Sequence, residues 1–254
     1  MVRPLAVRRH NEIVQRLRAS GSVSVSELAA IFGVSHETIR RDLKLLADQG
    51  QLDVVHGGAA RRGMMEPPIA ERGGENVEGK AMIARAAARM VPDGASVLID
   101  SGTTTAALTL ELIGRLGLTI CTNSLNHALM FARAPGNRVF MLGGEIDPND
   151  EATFGLGASA GMDAVRVDIA FIGVGGFAED GGLTDYSAVA ADTRGRMILA
   201  GRAYLLADRT KFMRRTPFRV PNMDKCSGAI VDRMPERELA AAWTGLGWDI
   251  IVAK

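Results

Sequence analysis

A chain of 254 residues with 47% hydrophobic and 23% charged side chains has the composition of an ordinary globular protein with one large core or two smaller ones, which excludes a disordered, collagenous or disulfide-scaffold chain. No apolar run nears the roughly 18 residues that span a bilayer, and residues 1–10 carry basic groups with no apolar stretch behind them, so no membrane partner and no signal peptide is expected, and a cytoplasmic protein is. Net charge is only +1, yet ten basic and six acidic side chains up to Arg62 make the front +4 and leave −3 for the remainder, as in a basic module joined to a neutral-to-acidic one.

Along 8–18, Ile13, Val14 and Leu17 share one face of a predicted helix. Ser24 and Glu27 form a capping box, with Val23 and Leu28 placed as its hydrophobic staple, so a short second helix is expected with Leu28, Ala29 and Phe32 inward. Gly33 breaks that helix. Ser35 then caps a third, with Glu37 in the first turn, where the helix dipole favours negative charge. Ile39, Leu43 and Leu46 recur at i, i+4 and i+7 and face the core, while Arg40, Arg41 and Lys44 lie roughly opposite. Helix, tight turn and basic helix make the helix-turn-helix pattern, and a guanidinium-rich outer face suits the major groove of double-stranded DNA. Beyond Gly50, Leu52, Val54 and Val55 suit a strand and Gly57-Gly58 a turn, predicting a wing whose tip lies on the phosphate backbone or in the minor groove. A plain three-helix bundle for protein contacts is the alternative; the caps, the turn glycine and the outward arginines speak against it.

The stretch 61–76 is charged and rich in glycine and proline, including Pro67-Pro68 and Gly73-Gly74, and reads as a linker between a domain at 1–60 and a second at 77–254. An alanine-rich helix over 80–90 leads into the turn Pro92-Asp93-Gly94. Short apolar runs at 96–100, 118–121, 138–142, 168–173, 204–207, 229–231 and 249–252 then alternate with helical stretches, which argues for an α/β domain with a mostly parallel sheet covered on both faces. Ligands bind such sheets beyond the carboxyl ends of the strands. That rule gathers Ser101, Gly102, Thr103, Thr104 and Thr105, then Thr122, Asn123 and Ser124, then Gly143 and Gly144, around one crevice. Hydroxyls and free N–H groups at a helix start cradle phosphate. Asp100 is placed to accept hydrogen bonds from sugar hydroxyls, and Lys211 to supply a counter-charge. On spacing alone, plain helix capping accounts equally well for these threonines and serines.

The run Leu28-Ala29, Phe32-Gly33-Val34-Ser35, Thr38-Ile39-Arg40-Arg41-Asp42-Leu43, Gly50 and His56-Gly57-Gly58-Ala59 resembles the winged helix-turn-helix DNA-binding domain of the DeoR family of bacterial transcriptional repressors. The resemblance continues through the second domain, where Asp100 to Thr104, Thr122-Asn123-Ser124, Gly143-Gly144 and the run Leu206 to Lys211 match the family's effector domain, so that it covers nearly the full chain. It implies operator contacts from Ser35, His36, Thr38, Ile39, Arg40, Arg41 and Lys44 and from the wing at His56, Gly57 and Gly58. Thr38 would bond a phosphate or a base edge, and Arg40 or Arg41 a guanine. It also implies an effector-binding and oligomerisation domain whose fold is similar to that of sugar-phosphate isomerases and deaminases, with a phosphorylated sugar or polyol as effector and a dimer or tetramer as the assembly. The sequence departs from the family at one place. Where relatives carry paired glutamates after Gly182-Leu183-Thr184, it reads Ala188-Val189-Ala190-Ala191 with Asp192 as the first carboxylate, which changes how ligand hydroxyls are bonded and leaves fewer groups for acid–base chemistry.

Other patterns carry less. Gly155-Leu156-Gly157-Ala158-Ser159-Ala160 fits a dinucleotide fingerprint but lacks a convincing strand before it, because Glu151 to Phe154 is short and polar. Gly173-Val174-Gly175-Gly176 follows a strand, but Asp180-Gly181-Gly182 then predicts a loop. His10, His36, His56 and His127 do not cluster, and Cys121 and Cys226 match no metal spacing, so no metal or cofactor is expected and both thiols read as packed. Met64, Met65 and Met82 read as core or contact residues. The expectation is a repressor of a carbohydrate-metabolism operon that its effector releases, and no enzyme. A sugar-phosphate isomerase or deaminase, or a ligand-dependent activator, is the alternative.

Overall fold

The computed structural model describes residues 6–55, 57–60 and 66–254, with the backbone alone at 18–20. His56, Arg61, Arg62, Met64 and Met65 lie outside the described residues. The chain opens with α1 (Ala6–Ser20), β1 (Ser22–Ser24), α2 (Val25–Phe32) and α3 (His36–Asp48), followed by β2 (Asp53–Val55) and β3 (Gly58–Ala60). Both anticipated caps are present. Ser24 Oγ accepts from the Glu27 N–H at 3.1 Å, and Ser35 Oγ from the Thr38 N–H at 3.2 Å. Gly33 ends α2 at φ +63°, the left-handed conformation that glycine adopts without a Cβ clash. Strand β3 pairs antiparallel with β1 on one side and β2 on the other, so the wing is a three-stranded sheet rather than a lone hairpin. Ile13, Leu17, Leu28, Phe32, Ile39, Leu43 and Leu46 fill the core of this unit. Each such side chain contributes about 1.5–3 kcal/mol on burial, set against the entropy of ordering the chain.

The segment after residue 65 is not a free tether. Helix α4 (Ile69–Arg72) is bonded into the second unit: the Ile69 N–H donates to the Asn149 carbonyl at 3.0 Å, and the Asn149 side chain donates to the Glu66 carbonyl at 3.3 Å. Arg72 is buried between Glu66 and Asp150. The second unit then runs α5 (Val77–Ala88), β4 (Ser96–Ile99), α6 (Thr103–Leu112), β5 (Thr119–Thr122), α7 (Leu125–Arg133), β6 (Arg138–Met141), the antiparallel hairpin β7 (Glu145–Asp147) and β8 (Ala152–Phe154), and α8 (Leu156–Asp163). It continues with β9 (Ile169–Gly173), β10 (Gly176–Phe177), β11 (Leu183–Asp185), α9 (Ala188–Ile198), β12 (Arg202–Ala207), β13 (Phe218–Arg219), β14 (Gly228–Val231), α10 (Arg237–Gly245) and β15 (Asp249–Val252). Seven strands form one parallel sheet in the order β15-β14-β12-β9-β4-β5-β6, while β10, β11 and β13 make a small antiparallel sheet beside it.

Side chains alternate across the large sheet, as a strand period of two requires. Leu98, Ala170, Ile172 and Leu205 face α8, α9 and α10, where Trp243 is the largest buried side chain. Val97, Ile99, Phe171 and Leu206 face α5, α6 and α7. Successive strands run outward from β4 through β5 to β6, then resume on the other side of β4 with β9. That reversal opens a crevice beyond the carboxyl ends of β4 and β9, the usual ligand position in an open parallel sheet. No helix among the described residues is long and apolar enough to cross a membrane.

Candidate nucleic-acid interface and sheet-end site

On α3 the predicted outward face is exposed. The side chains of Arg40 and Arg41 are 65% and 81% exposed and make only long ion pairs to Glu37, at 3.9 and 3.5 Å. Pairs of this kind contribute about 0–1 kcal/mol, so both guanidinium groups can leave Glu37 for a stronger anion. Ser35, His36 and Lys44 are exposed beside them. Thr38 is half-buried, and its hydroxyl already shares a 2.9 Å hydrogen bond with Ser35 Oγ.

Two residues anticipated at this surface lie elsewhere. Ile39 is fully buried in the core and cannot touch a duplex; it fixes the helix. Gly58 is buried in β3, and a Cβ there would collide with the Val23 carbonyl, so this glycine lets β3 approach β1. Gly57, at φ +79°, is exposed at the wing tip. Asp42 has a role that its local sequence does not suggest. It sits on the buried stripe of α3, three residues from Ile39, and accepts from Arg9 Nε at 2.5 Å, Arg9 Nη2 at 3.0 Å and His10 Nε2 at 2.7 Å. Burial works to raise the Asp42 pKa, but the bonds from Arg9 and His10 carry it below the usual carboxylate value.

At the sheet end, Asp100 leaves β4 fully buried. Its Oδ2 accepts from Arg194 Nε at 2.7 Å and from the Gly173 N–H at 3.1 Å, tying β4 to β9 across the crevice. Arg194, on α9, reaches Asp185 with its other arm. Burial would lower the Arg194 pKa, yet Asp100 and Asp185 hold it well above the ordinary value. Asp100 is therefore occupied by protein partners and corrects the expectation of a carboxylate open to sugar hydroxyls. Sequence reasoning overlooked Asp185, a buried carboxylate just before α9. Asp192 points outward and pairs with Arg196 at 3.1 Å.

The neighbouring loops divide in the same way. Asn123 is buried and accepts the Ser101 N–H at 2.9 Å, while its own carbonyl accepts from Thr153 N at 2.9 Å. Thr122 accepts the Ser124 N–H at 3.1 Å, and Ser124 caps α7. All three are buried below the surface and hold the crevice in shape. Gly102, at φ +138°, offers no side chain to cap α6, so the first-turn N–H groups of Thr103 and Thr104 are left for another acceptor. Gly144 packs against Phe154 and the start of α8, and a Cβ on Gly157 would lie 3.0 Å from the Gly144 Cα. These glycines, with Gly143 beside them, allow a close approach of backbones. A strand, β8, does precede Gly155, contrary to expectation, but it belongs to an antiparallel hairpin and not to a parallel βαβ unit, so a dinucleotide fingerprint still lacks its setting.

Lys211 follows β12 in a short 3-10 turn and is buried to 8% exposure, with no carboxylate within ion-pair distance among the described residues. Burial lowers its pKa, and Glu66 is the first of the charges opposing that. Glu66 and Arg72 enter this cluster from the predicted linker, which sequence reasoning did not foresee. Arg72 Nη1 donates to Glu66 at 2.6 Å, its Nη2 to Asp150, and its carbonyl accepts from the buried Lys80 Nζ at 2.7 Å. Burial, then the Asp150 charge, push the Glu66 carboxyl up to about 7, against Arg72. A carboxyl raised on folding keeps an extra proton in the folded state between its unfolded value of 4.5 and about 7, so stability falls as pH rises through that window. Glu66→Gln, neutral at every pH, should match the parent near about pH 5 and melt several degrees higher at about pH 8. Thermal unfolding at both pH values checks this; equal gaps at the two would contradict it. The thiols are inert: burial pushes Cys121 up to about 11 and Cys226 up to about 12.

Comparison with known proteins follows this division. Residues 9–62 match the DeoR-like helix-turn-helix domain, and residues 75–233 match the DeoR C terminal sensor domain. The chain is 32% identical over 229 residues to the glycerol-3-phosphate regulon repressor of Escherichia coli K12, covering 89% of this chain and 91% of that one. It is 30% identical to the putative aga operon transcriptional repressor of Escherichia coli O157:H7, covering 88% and 85%. Among solved structures, ribose 5-phosphate isomerase A of Methanocaldococcus jannaschii is similar over 54% of this chain and 55% of that one, at 19% identity and a TM-score of 0.41.

Proposed function

The chain belongs to the DeoR family of DNA-binding transcriptional regulators, and we propose that it is a repressor that leaves its operator when a phosphorylated sugar or polyol occupies the sensor domain. The observation that carries the effector half is Lys211, an ammonium buried at the carboxyl end of the sheet without a bonded carboxylate among the described residues. Such a group is costly to bury unpaired, and a phosphate is the counter-ion it suits. The uncapped start of α6 supplies N–H donors for the same kind of anion. On the output side, Arg40, Arg41 and Lys44 form the edge that meets DNA, with Gly57 at the wing tip; two copies reading two half-sites would fit a symmetric operator.

An isomerase or deaminase would need a carboxylate free to take a proton from its substrate. Asp100 and Asp185, at the ends of β4 and β11, are both bound to Arg194, which supports a sensor over an enzyme. Conversion of a sugar phosphate by the full chain would contradict this reading.

Two variants separate input from output. Arg40→Ala should weaken binding to a selected operator duplex by roughly 10- to 100-fold, the worth of one good base or phosphate contact, with unfolding unchanged. Lys211→Ala should keep operator affinity and lose release by the sugar phosphate that releases the parent. Gel-shift titrations with a sugar-phosphate panel measure both; normal release of the lysine variant would remove the phosphate site.

A further inference from the structure

The wing does not stand free. A Cβ built on Gly57 would lie 2.8 Å from Val189 Cγ2, so the wing tip rests on α9 of the sensor domain. Nearby, Ser22 Oγ donates to the Pro217 carbonyl at 3.4 Å. Between these units lies a cleft of about 1150 Å³. On one side it is lined by His36, Arg40 and Lys44, which recur at i, i+4 and i+8 along the wing side of α3. Glu145, Leu156 and Asp192 line the other side. A helix seated in the major groove has a phosphate strand along each flank, and a wing grips the strand beside it. A duplex docked on α3 would therefore drive one of its strands into this cleft, against the sensor helices and facing Glu145 and Asp192.

We propose that this docked arrangement is the operator-free state: α9 of the sensor holds the wing tip, the α8–α9 face stands across the cleft from the wing-side edge of the recognition helix, and operator binding requires the wing tip to leave Val189. The proposal rests on the DNA-binding reading above and gives its two-state equilibrium a structural partner for the released form. An effector need only favour the docked arrangement to lower the operator-competent population. The bonds of the sheet-end site lead toward this face. Asn123, which holds the Ser101 N–H, is bonded to Thr153 of β8, and β8 runs directly into α8.

The contact can be locked. Gly57→Cys with Val189→Cys in the full chain places two thiols at disulfide range, and the buried Cys121 and Cys226 do not compete. The probe is a duplex that the wild-type protein selects from a random-sequence pool, at one fixed salt concentration. The oxidised protein should migrate as a single chain on a non-reducing denaturing gel and bind this duplex on the order of 100-fold more weakly than its reduced form. Reductant should restore binding. Equal binding by the oxidised and reduced forms would overturn the proposal, as would a disulfide that forms only between chains. Because Gly57 is at a positive φ that cysteine tolerates poorly, Val189→Ala alone is the second arm. It trims the docking contact and should tighten operator binding by roughly fivefold; unchanged or weaker binding would equally overturn docking. If the wild type selects no duplex, it is the DNA-binding reading that fails.

Discussion

Arg194→Met should destabilise the sensor domain by about 3–5 kcal/mol near neutral pH, the usual cost of stranding buried charge. Two carboxylates depend on this one guanidinium. Asp100 is fully buried at the end of β4 and Asp185 is buried at the end of β11, and each takes one arm of Arg194. Losses of that size are a large part of a domain's total stability of about 5–15 kcal/mol, so the variant should accumulate poorly and lose effector response together. The effect carries a pH signature. Burial already raises the Asp100 carboxyl with Arg194 in place, and losing the cation raises it further, so the folded variant binds an extra proton and the deficit shrinks as pH falls. Urea unfolding at about pH 8 and pH 5.5 measures the two deficits. A deficit that is small at pH 8, or the same at both, would mean that Arg194 is not their counter-ion. Adding Asp100→Asn and Asp185→Asn to the variant should recover much of the loss, since neutral groups leave no charge to compensate. Simple loss of packing would not be rescued in this way.

Arg194 also marks the limit of what could be read before the fold was known. Capping and periodicity act within a few residues, so Ser24, Gly33, Ser35 and the Ile39–Leu43–Leu46 stripe were legible, as were the apolar strands of the large sheet. Strand β1 has only three residues, too few for a period to register. The sheet-end network is assembled from pairs far apart in sequence: Asp100 with Arg194, and Arg72 with Asp150. No local pattern selects such partners. One signal was available and unused. Arg194 follows Ala190 and Ala191 and precedes Met197 and Ile198 on the buried side of α9, and Asp42 shares the buried side of α3 with Ile39, Leu43 and Leu46. A charge on an apolar stripe is either a conflict or a buried partner awaiting its mate. In both helices it is the partner. The glycines misled in the opposite direction: Gly58 and Gly144 fit a binding motif, but their lack of a side chain serves backbone packing.

Asp42→Ala should destabilise the DNA-binding unit although Asp42 faces away from any duplex. Its carboxylate receives two bonds from the nearly buried guanidinium of Arg9 and one from His10, joining α1 to the underside of α3. Removing it breaks an ion pair whose side chains are each 9% exposed, at a cost of about 3 kcal/mol, the lower end for a broken buried pair because the cluster reaches the surface. The position of α3 sets where Arg40 and Arg41 can reach, so operator affinity should fall with stability. Arg40→Ala, by contrast, should lose affinity while the melting curve stays put; calorimetry and gel shift on the two variants separate a reading residue from a positioning one. The acid limb gives a second check. Asp42 is held below its unfolded pKa, so its contribution is complete above about pH 4 and disappears as pH falls through the folded value. The parent should lose stability over that range, and Asp42→Ala should show a flatter acid limb. The double variant Arg9→Met with Asp42→Ala closes the cycle. It should cost clearly less than the two single losses together, because the shared pair is then lost only once. Strict additivity would break the link between α1 and α3, and with it the claim that Asp42 acts on DNA through the placement of the helix.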